Sequence, residues 1–288
     1  MIKQDARVKL AEHSYVILDD DVSFVPNVGI VVGERATLVI DTGLGHANGV
    51  IVLGEARKIR NNSEYYVAAT HYHPEHDLGA TAFPPNAKVL RWRTQQVDVD
   101  ELGADTNQRF AGFSPRLAEL LATARFRSAD VLFDDAIRID LGGVHVRIWG
   151  VGPTHTRGDT VFFVEEDRVL YTGDVVMSVF PAVNGQTSSV AKWLADMNEF
   201  DGLNPAVIVP AHGRTGDVTF VRRYREYLTA VQRGAAEAKR GGATVEAATA
   251  ELAPRLAAEF PALAPANGSP TGRINAAIQA AYREAGSR

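Results

Sequence analysis

Apolar positions in the first half of the chain fall in short runs rich in β-branched and aromatic residues, broken by Gly, Asp and Asn. Residues 14–18, 22–32 and 36–40 read as strands, the last two separated by the turn Gly33-Glu34-Arg35. Asp41-Thr42-Gly43 closes that meander, 47–59 takes a helical period, and 65–69 is a further strand that runs into a histidine-rich loop. Over residues 91–127 the strand pattern disappears, and Leu117, Leu120, Leu121 and Ala124 recur at helical spacing behind Pro115, which suits a first helical turn. Strands return at 136–139, 144–148, 161–164 and 169–171, joined by turns at Gly142-Gly143 and Glu166-Asp167. Residues 191–200 are helical, 206–209 form a buried strand ending at Pro210, and the chain from Asp217 is helical and Ala-rich. Phe220, Val221, Tyr224, Leu228 and Val231 make one apolar stripe there and Ile274, Ile278 and Tyr282 a weaker one, with 261–272 as the candidate mobile link. The pattern is that of an α/β protein with no repeat of solenoid period.

Composition narrows the function classes. With 288 residues, 45% of them hydrophobic and 23% charged, the chain can bury a core, so wholesale disorder is excluded. Thirty Lys and Arg against 35 Asp and Glu leave a net charge of −5, which argues against a nucleic-acid partner. The absence of cysteine removes disulfides, thiolate metal sites and Cys nucleophiles together. No apolar run reaches the ~18 residues of a membrane-span candidate, so no membrane partner is expected. The first residues lack the charged-then-apolar order of a secretory signal, so the expected location is the cytoplasm, or the periplasm if a leader had been trimmed.

The chemistry concentrates in Thr70-His71-Tyr72-His73-Pro74-Glu75-His76-Asp77. Imidazoles two apart on an extended segment project to the same side, so His71 and His73 can grip one ion. Glu75 and His76, after a proline-enforced turn, can face a second. Neutral imidazole and carboxylate are zinc-type ligands. Three more segments end strands with a His or Asp: His155 in 152–159, Asp174 after Tyr171-Thr172-Gly173, and His212 after Val209-Pro210-Ala211. Other candidates have plainer readings. His145 alternates outward with Arg147, His13 has no context, and His46 follows a turn from which it could line the site, though a plain turn histidine is the commoner reading. Tyr72 points away from its two neighbours and packs. Gly29, Gly33, Gly43 and Gly45 make no nucleotide fingerprint, and no serine sits on a nucleophile elbow.

The order Asp41, His71-x-His73-x-Glu75-His76, His155, Asp174, His212 strongly resembles the five motifs of the metallo-β-lactamase superfamily, across about residues 10–215. The motifs are specific in combination, though not singly. The resemblance implies a four-layer αββα sandwich over 1–215, with a helical insert at about 91–127 and a helical C-terminal extension over 216–288 packed on it. It implies that His71, His73 and His155 hold a first metal and Glu75, His76 and His212 a second, with Asp174 bridging and Asp41 supporting the His loop from behind. The family usually has Asp at the position of Glu75. An extra methylene is large against a ~0.2 Å tolerance in ligand distance, so the second site is expected to be the weaker one, and restoring Asp to tighten it.

The implied activity is that of a zinc-dependent hydrolase with one or two ions. A metal-bound hydroxide would attack the carbonyl of a small-molecule lactone, thioester, ester or β-lactam, with Asp174 or Glu75 orienting the water. Asp at 174 looks more like the lactonase and thioesterase branches than the β-lactamases. The stretch 179–189, with Phe180, Asn184 and Gln186, is expected to cover the site, and the insert to form the opposite wall. Two alternatives stay open. His71, His155 and Asp174 could serve a mononuclear iron dioxygenase resembling the persulfide dioxygenases of the same superfamily. The chain could also be a non-catalytic metal-binding relative.

Overall fold

A computed structural model describes residues 1–265 and 269–286. The first sheet runs in the order β1 (Arg7–Lys9), β2 (Ser14–Ile17), β3 (Val28–Val32), β4 (Ala36–Ile40), β5 (Glu64–Ala68), β6 (Lys88–Trp92), β7 (Val131–Phe133). The second holds β8 (Ile137–Asp140), β9 (His145–Gly150), β10 (Thr160–Val164), β11 (Val169–Gly173) and β12 (Val207–Pro210), in the spatial order β12-β11-β10-β9-β8.

The period-2 alternation of the strands sets the layers. In β4, Leu38 and Ile40 meet Val146, Ile148, Phe162 and Val164 of the second sheet, while Val39 faces the other way. That outer face of the first sheet packs on Val52, Leu53 and Ala56 of α1 (Gly45–Ile59). In β10, Val161 and Phe163 likewise turn outward, onto a layer built from α5 (Val190–Leu203), α6 (Thr219–Arg240), α7 (Val245–Glu259) and α8 (Thr271–Glu284). The result is helix, sheet, sheet, helix, as the resemblance implied. The one-turn α2 (Pro74–Asp77) carries Glu75 and His76, and the expected helical insert contains α3 (Arg93–Ala111) and α4 (Pro115–Leu121), whose Phe110, Leu117 and Leu121 close a small core with Leu44 and Leu78.

Three differences from the sequence reading have physical causes. Residues 22–27 form a loop rather than the start of a strand. Asn27 accepts from the Asp19 amide (2.7 Å) and donates to the carbonyls of Pro210 (2.8 Å) and Gly213 (2.7 Å), so its side chain ties this loop to the end of β12. β6 escapes a hydrophobicity pattern because Arg91 sits in it; that arginine is 2% exposed and ion-paired with buried Asp77 at 2.8 Å. The proposed mobile link at 261–272 falls partly outside the described residues, and its described start is packed: Leu263 is buried and its carbonyl accepts from the Phe180 amide at 2.9 Å. Among the described residues, no helix is long and apolar enough to cross a membrane.

Candidate metal centre

β4 and β5 run parallel, as do β11 and β12, so Asp41, the His71 loop, Asp174 and His212 all leave carboxyl ends of strands. Two contacts bring the sheets together at that edge. The Thr160 amide donates to the Thr70 carbonyl at 2.7 Å. Gly173, at φ +56, lies so close to Thr70 that a Cβ would come within 2.6 Å of the threonine Cβ, which only glycine avoids.

The sequence-predicted residues then fall into two groups. Donor atoms of His71, His73 and His155 lie within 4.8 Å of one another, and so do those of Glu75, His76 and His212. In the first group His71 Nε2 is 3.0 Å and His155 Nε2 3.4 Å from His73 Nδ1. Asp174 lies between the groups, with Oδ2 3.5 Å from His155 Nε2 and Oδ1 3.9 Å from His212 Nε2. Glu75 Oε1 is 3.8 Å from His76 Nε2, so the longer side chain still reaches its group.

Acceptors on the far sides of the rings fix the tautomers. Asp41 Oδ2 faces His76 Nδ1 at 2.9 Å, the Ala182 carbonyl takes His155 Nδ1 at 2.6 Å, and the Val25 carbonyl takes His212 Nδ1 at 3.1 Å. Thr70 Oγ1 donates to Asp41 (3.0 Å) and so can accept from His71 Nδ1 (3.2 Å). Each of these four rings, when neutral, therefore turns the Nε2 lone pair inward. Asp41 also accepts from the Thr70 amide at 2.7 Å and holds a left-handed φ of 62° while doing so.

Lone pairs converging on one point without a proton between them repel, and a divalent cation relieves that repulsion. His76 Nε2, Glu75 Oε2 and Asp174 Oδ1 are buried with no hydrogen-bond partner among the described residues, a costly state that metal ligation removes. The donor set of five imidazoles and two carboxylates suits zinc or another transition metal. Burial, then the neighbouring imidazoles, hold His71 and His73 well below the usual histidine range, so both stay neutral. Burial also opposes charge on His76, but Asp41, with help from Glu75 and Asp174, outweighs it and lifts its pKa to about 9 in the protein alone. Burial pushes Glu75 up. Asp174, despite burial, is held below the ordinary carboxylate range by His155, His212 and His76, and stays ionised.

The remaining histidines stay outside the centre. His46 is exposed near Thr81, His13 contacts the Val32 carbonyl, and His145 pairs with Glu166 at 2.6 Å. Of the stretch expected to cover the site, Asn184 and Ser188 donate to the His155 carbonyl at 3.1 Å each, but Phe180 is a core residue packed on Tyr227. The side chain of Gln186 lies outside the described ones. The insert forms the other wall: Phe110 lies 5.8 Å from the His73 ring, and Thr106 reaches the Tyr72 hydroxyl at 3.4 Å.

Some supporting residues escaped the sequence reading. Buried Asp159 takes the Thr154 hydroxyl and the amide and hydroxyl of Thr156, which sets the turn that presents His155. Asn27 tethers the His212 segment. Thr-x-Thr-x-x-Asp is a turn signal that could have revealed the first, whereas nothing in the sequence marks Asn27.

Residues 23–212 match the family model of the metallo-beta-lactamase superfamily. The linear primary-alkylsulfatase of Pseudomonas sp. (strain ATCC 19151) is 23% identical over 218 residues, 64% of this chain and 41% of that protein. The solved stereoselective inverting sec-alkylsulfatase from Pseudomonas sp. aligns with a TM-score of 0.72 at 14% identity, over 97% of this chain and 50% of the other. A metallo-beta-lactamase family protein from Thermus thermophilus gives 0.65 at 18% identity, over 98% and 94%. The chain therefore spans half or less of the length of either alkylsulfatase.

Proposed function

The chain belongs to the metallo-beta-lactamase superfamily, and from that premise we propose a zinc-dependent hydrolase that cleaves an ester, thioester, lactone or lactam bond of a small molecule. The observation that carries the reading is the pair of three-residue donor groups with Asp174 between them. His71, His73 and His155 would hold one ion, and Glu75, His76 and His212 another, with Asp174 shared. Such ions supply Lewis acidity, polarise the scissile group and lower the pKa of bound water to about 7.

The protein's part is orientation and proton handling. Asp174, kept ionised by the surrounding imidazoles, accepts a hydrogen bond from the attacking water and aims it. Glu75, pushed up by burial, is the second carboxylate within reach. Asp41 and the carbonyls of Ala182 and Val25 hold three imidazoles in the ligating tautomer. Phe110, Leu102 and Val183 provide apolar walls that keep bulk water from the reacting bond.

Carboxylic esters, lactones, thioesters and β-lactams all offer a carbonyl to this arrangement. A second substrate reading, an alkyl sulfate ester, is favoured by the similarity to two alkylsulfatases. Metal analysis of the purified protein, combined with turnover of a panel holding all five bond types, tests the proposal. Zinc with hydrolysis supports it, and release of inorganic sulfate from the alkyl sulfate selects the second substrate reading. One iron per chain with oxygen uptake, or no hydrolysis by the zinc-loaded protein, overturns it.

A further inference from the structure

A cavity of about 460 Å³ opens beside the candidate centre, with His73 on one side and Leu102, Asp105, Thr106 and Arg109 of α3 on the other. Most of its polar groups are already engaged. Thr106 meets the Tyr72 hydroxyl, the Asn184 amide donates to the His155 carbonyl, and the Thr187 hydroxyl donates to the Asn184 carbonyl. Two exposed groups there, Asp105 and Arg109, have no hydrogen bond or ion pair to a described residue, and of the two only Arg109 can attract an anion. Three nearby arginines are tied down, Arg93 to Asp134, Arg157 to Asp98 and Glu101, and Arg127 to backbone carbonyls.

Position adds to this. The Arg109 guanidinium sits 5.9 Å over the Phe110 ring, and that ring lies 5.8 Å from His73, so the free cation is stacked on the residue that walls the centre. Leu102 and Val183 are the apolar side chains of the cavity lining, and buried Phe110 lies between the guanidinium and the His73 ring.

Resting on the hydrolase reading above, we infer that Arg109 reads a carboxylate on the substrate, remote from the scissile bond and separated from it by a short apolar spacer. The preferred substrate is then an anionic ester, and Arg109 sets specificity rather than rate. A planar guanidinium with five donors suits a carboxylate better than an ammonium does.

Monomethyl adipate and dimethyl adipate differ by that one charge and serve as probes. In the zinc-loaded protein, Arg109→Met, which keeps the contact with Phe110, should raise KM for the monoanion about tenfold. It should leave its kcat within about twofold and the diester unchanged, and Arg109→Lys should recover part of the loss. Equal effects on both esters, or none, would overturn the inference. Calorimetric binding of adipamic acid and its neutral diamide needs no turnover. The acid should bind wild type about tenfold more tightly than Arg109→Met, with the diamide indifferent to the substitution. If that difference holds in a zinc-loaded protein that hydrolyses neither ester nor any of the five bond types of the panel, the hydrolase reading falls and the anion site stands. If both esters turn over and Arg109→Met treats them alike, only the anion site falls.

Discussion

At Asp41 a single carboxylate serves the Thr70 amide, the Thr70 hydroxyl and His76 Nδ1, from a backbone conformation that costs of order 1–3 kcal/mol in most side chains. Asn tolerates the left-handed region nearly as well as Asp, so Asp41→Asn removes the charge without adding backbone strain. We expect it to lower turnover ~10–100-fold with a smaller loss of zinc, checked by kinetics beside metal titration; unchanged kinetics would make Asp41 a turn residue only. Glu75 gives a second case. The sequence comparison with the family's usual Asp suggests that Glu75→Asp would tighten the second metal, yet the structure argues the reverse. Pro74 and the His76 amide bonded to the His73 carbonyl at 3.0 Å fix the backbone, and the glutamate already reaches the group. Shortening it withdraws the carboxylate by ~1.5 Å, far beyond the tolerance of a ligand bond. A chelator series should strip one equivalent before the other in wild type, and Glu75→Asp should bring forward that first loss alone. Identical titrations of the two proteins would show that the loop relaxes. The residues of the two donor groups are legible only through the order of their motifs, because a single histidine or aspartate at a strand end is commonly a turn residue. Their supports were not: Asn27 and Asp159 are common polar residues whose roles depend on which distant carbonyl or hydroxyl the fold brings to them.

The insert helix α3 does at the element scale what these supports do at the residue scale. Its first turns touch both histidine-bearing loops. Gln95 donates to the Ala69 carbonyl at 3.0 Å, while buried Asp98 accepts from Arg157 Nε at 2.6 Å and the Gly158 amide at 2.9 Å. Gly158 lies so close that a Cβ there would fall 2.3 Å from the Gln95 Cα, so helix and loop are in backbone contact. Asp98→Ala leaves the amide and guanidinium without their acceptor. It should cost about 2 kcal/mol and weaken the zinc held by His71, His73 and His155 more than the other. Denaturation and zinc titration together check this, and a stability loss with untouched zinc affinity would reduce α3 to packing. On α5, Asp196 is buried and its pKa rises to about 6, burial outweighing the pull of Lys192. A carboxyl that holds its proton more tightly folded than unfolded loses stability as pH rises from about 4 towards 6. Asp196→Asn lacks that proton, so its stability relative to wild type should improve across this window; a difference flat with pH would place Asp196 in solvent. Continuous runs of β-branched and aromatic residues, such as β4 and β10, are legible as elements. β6 was hidden by an arginine whose charge is cancelled by Asp77 in the preceding His loop.

Over the whole molecule, the family match ends at residue 212, and the helices beyond it look dispensable on that ground. The contacts argue otherwise. Tyr224 donates to the Val179 carbonyl at 2.6 Å, Arg273 to that of Phe180 at 2.7 Å and Arg283 to that of Gly185 at 2.8 Å. The Glu284 carboxylate takes the Val190 and Ala191 amides at the start of α5, at 2.9 and 3.0 Å. The stretch those helices grip is the one whose Ala182 carbonyl orients His155 and whose Asn184 and Ser188 hold that loop. The same helices share one apolar core with the outer face of the second sheet, through Phe180, Trp193, Tyr224, Leu228 and Ile278. Cutting after residue 215 would expose that face and free the stretch that holds His155. The exposed apolar layer is larger than a soluble monomer usually presents. Residues 1–215 alone should therefore aggregate, or stay compact without fixed packing, with near-UV circular dichroism lost and no cooperative thermal transition. Zinc should not rescue them, because the missing support is apolar and lies behind the centre. A fragment that is soluble, unfolds cooperatively and binds zinc as the full chain does would show that the centre needs none of these helices.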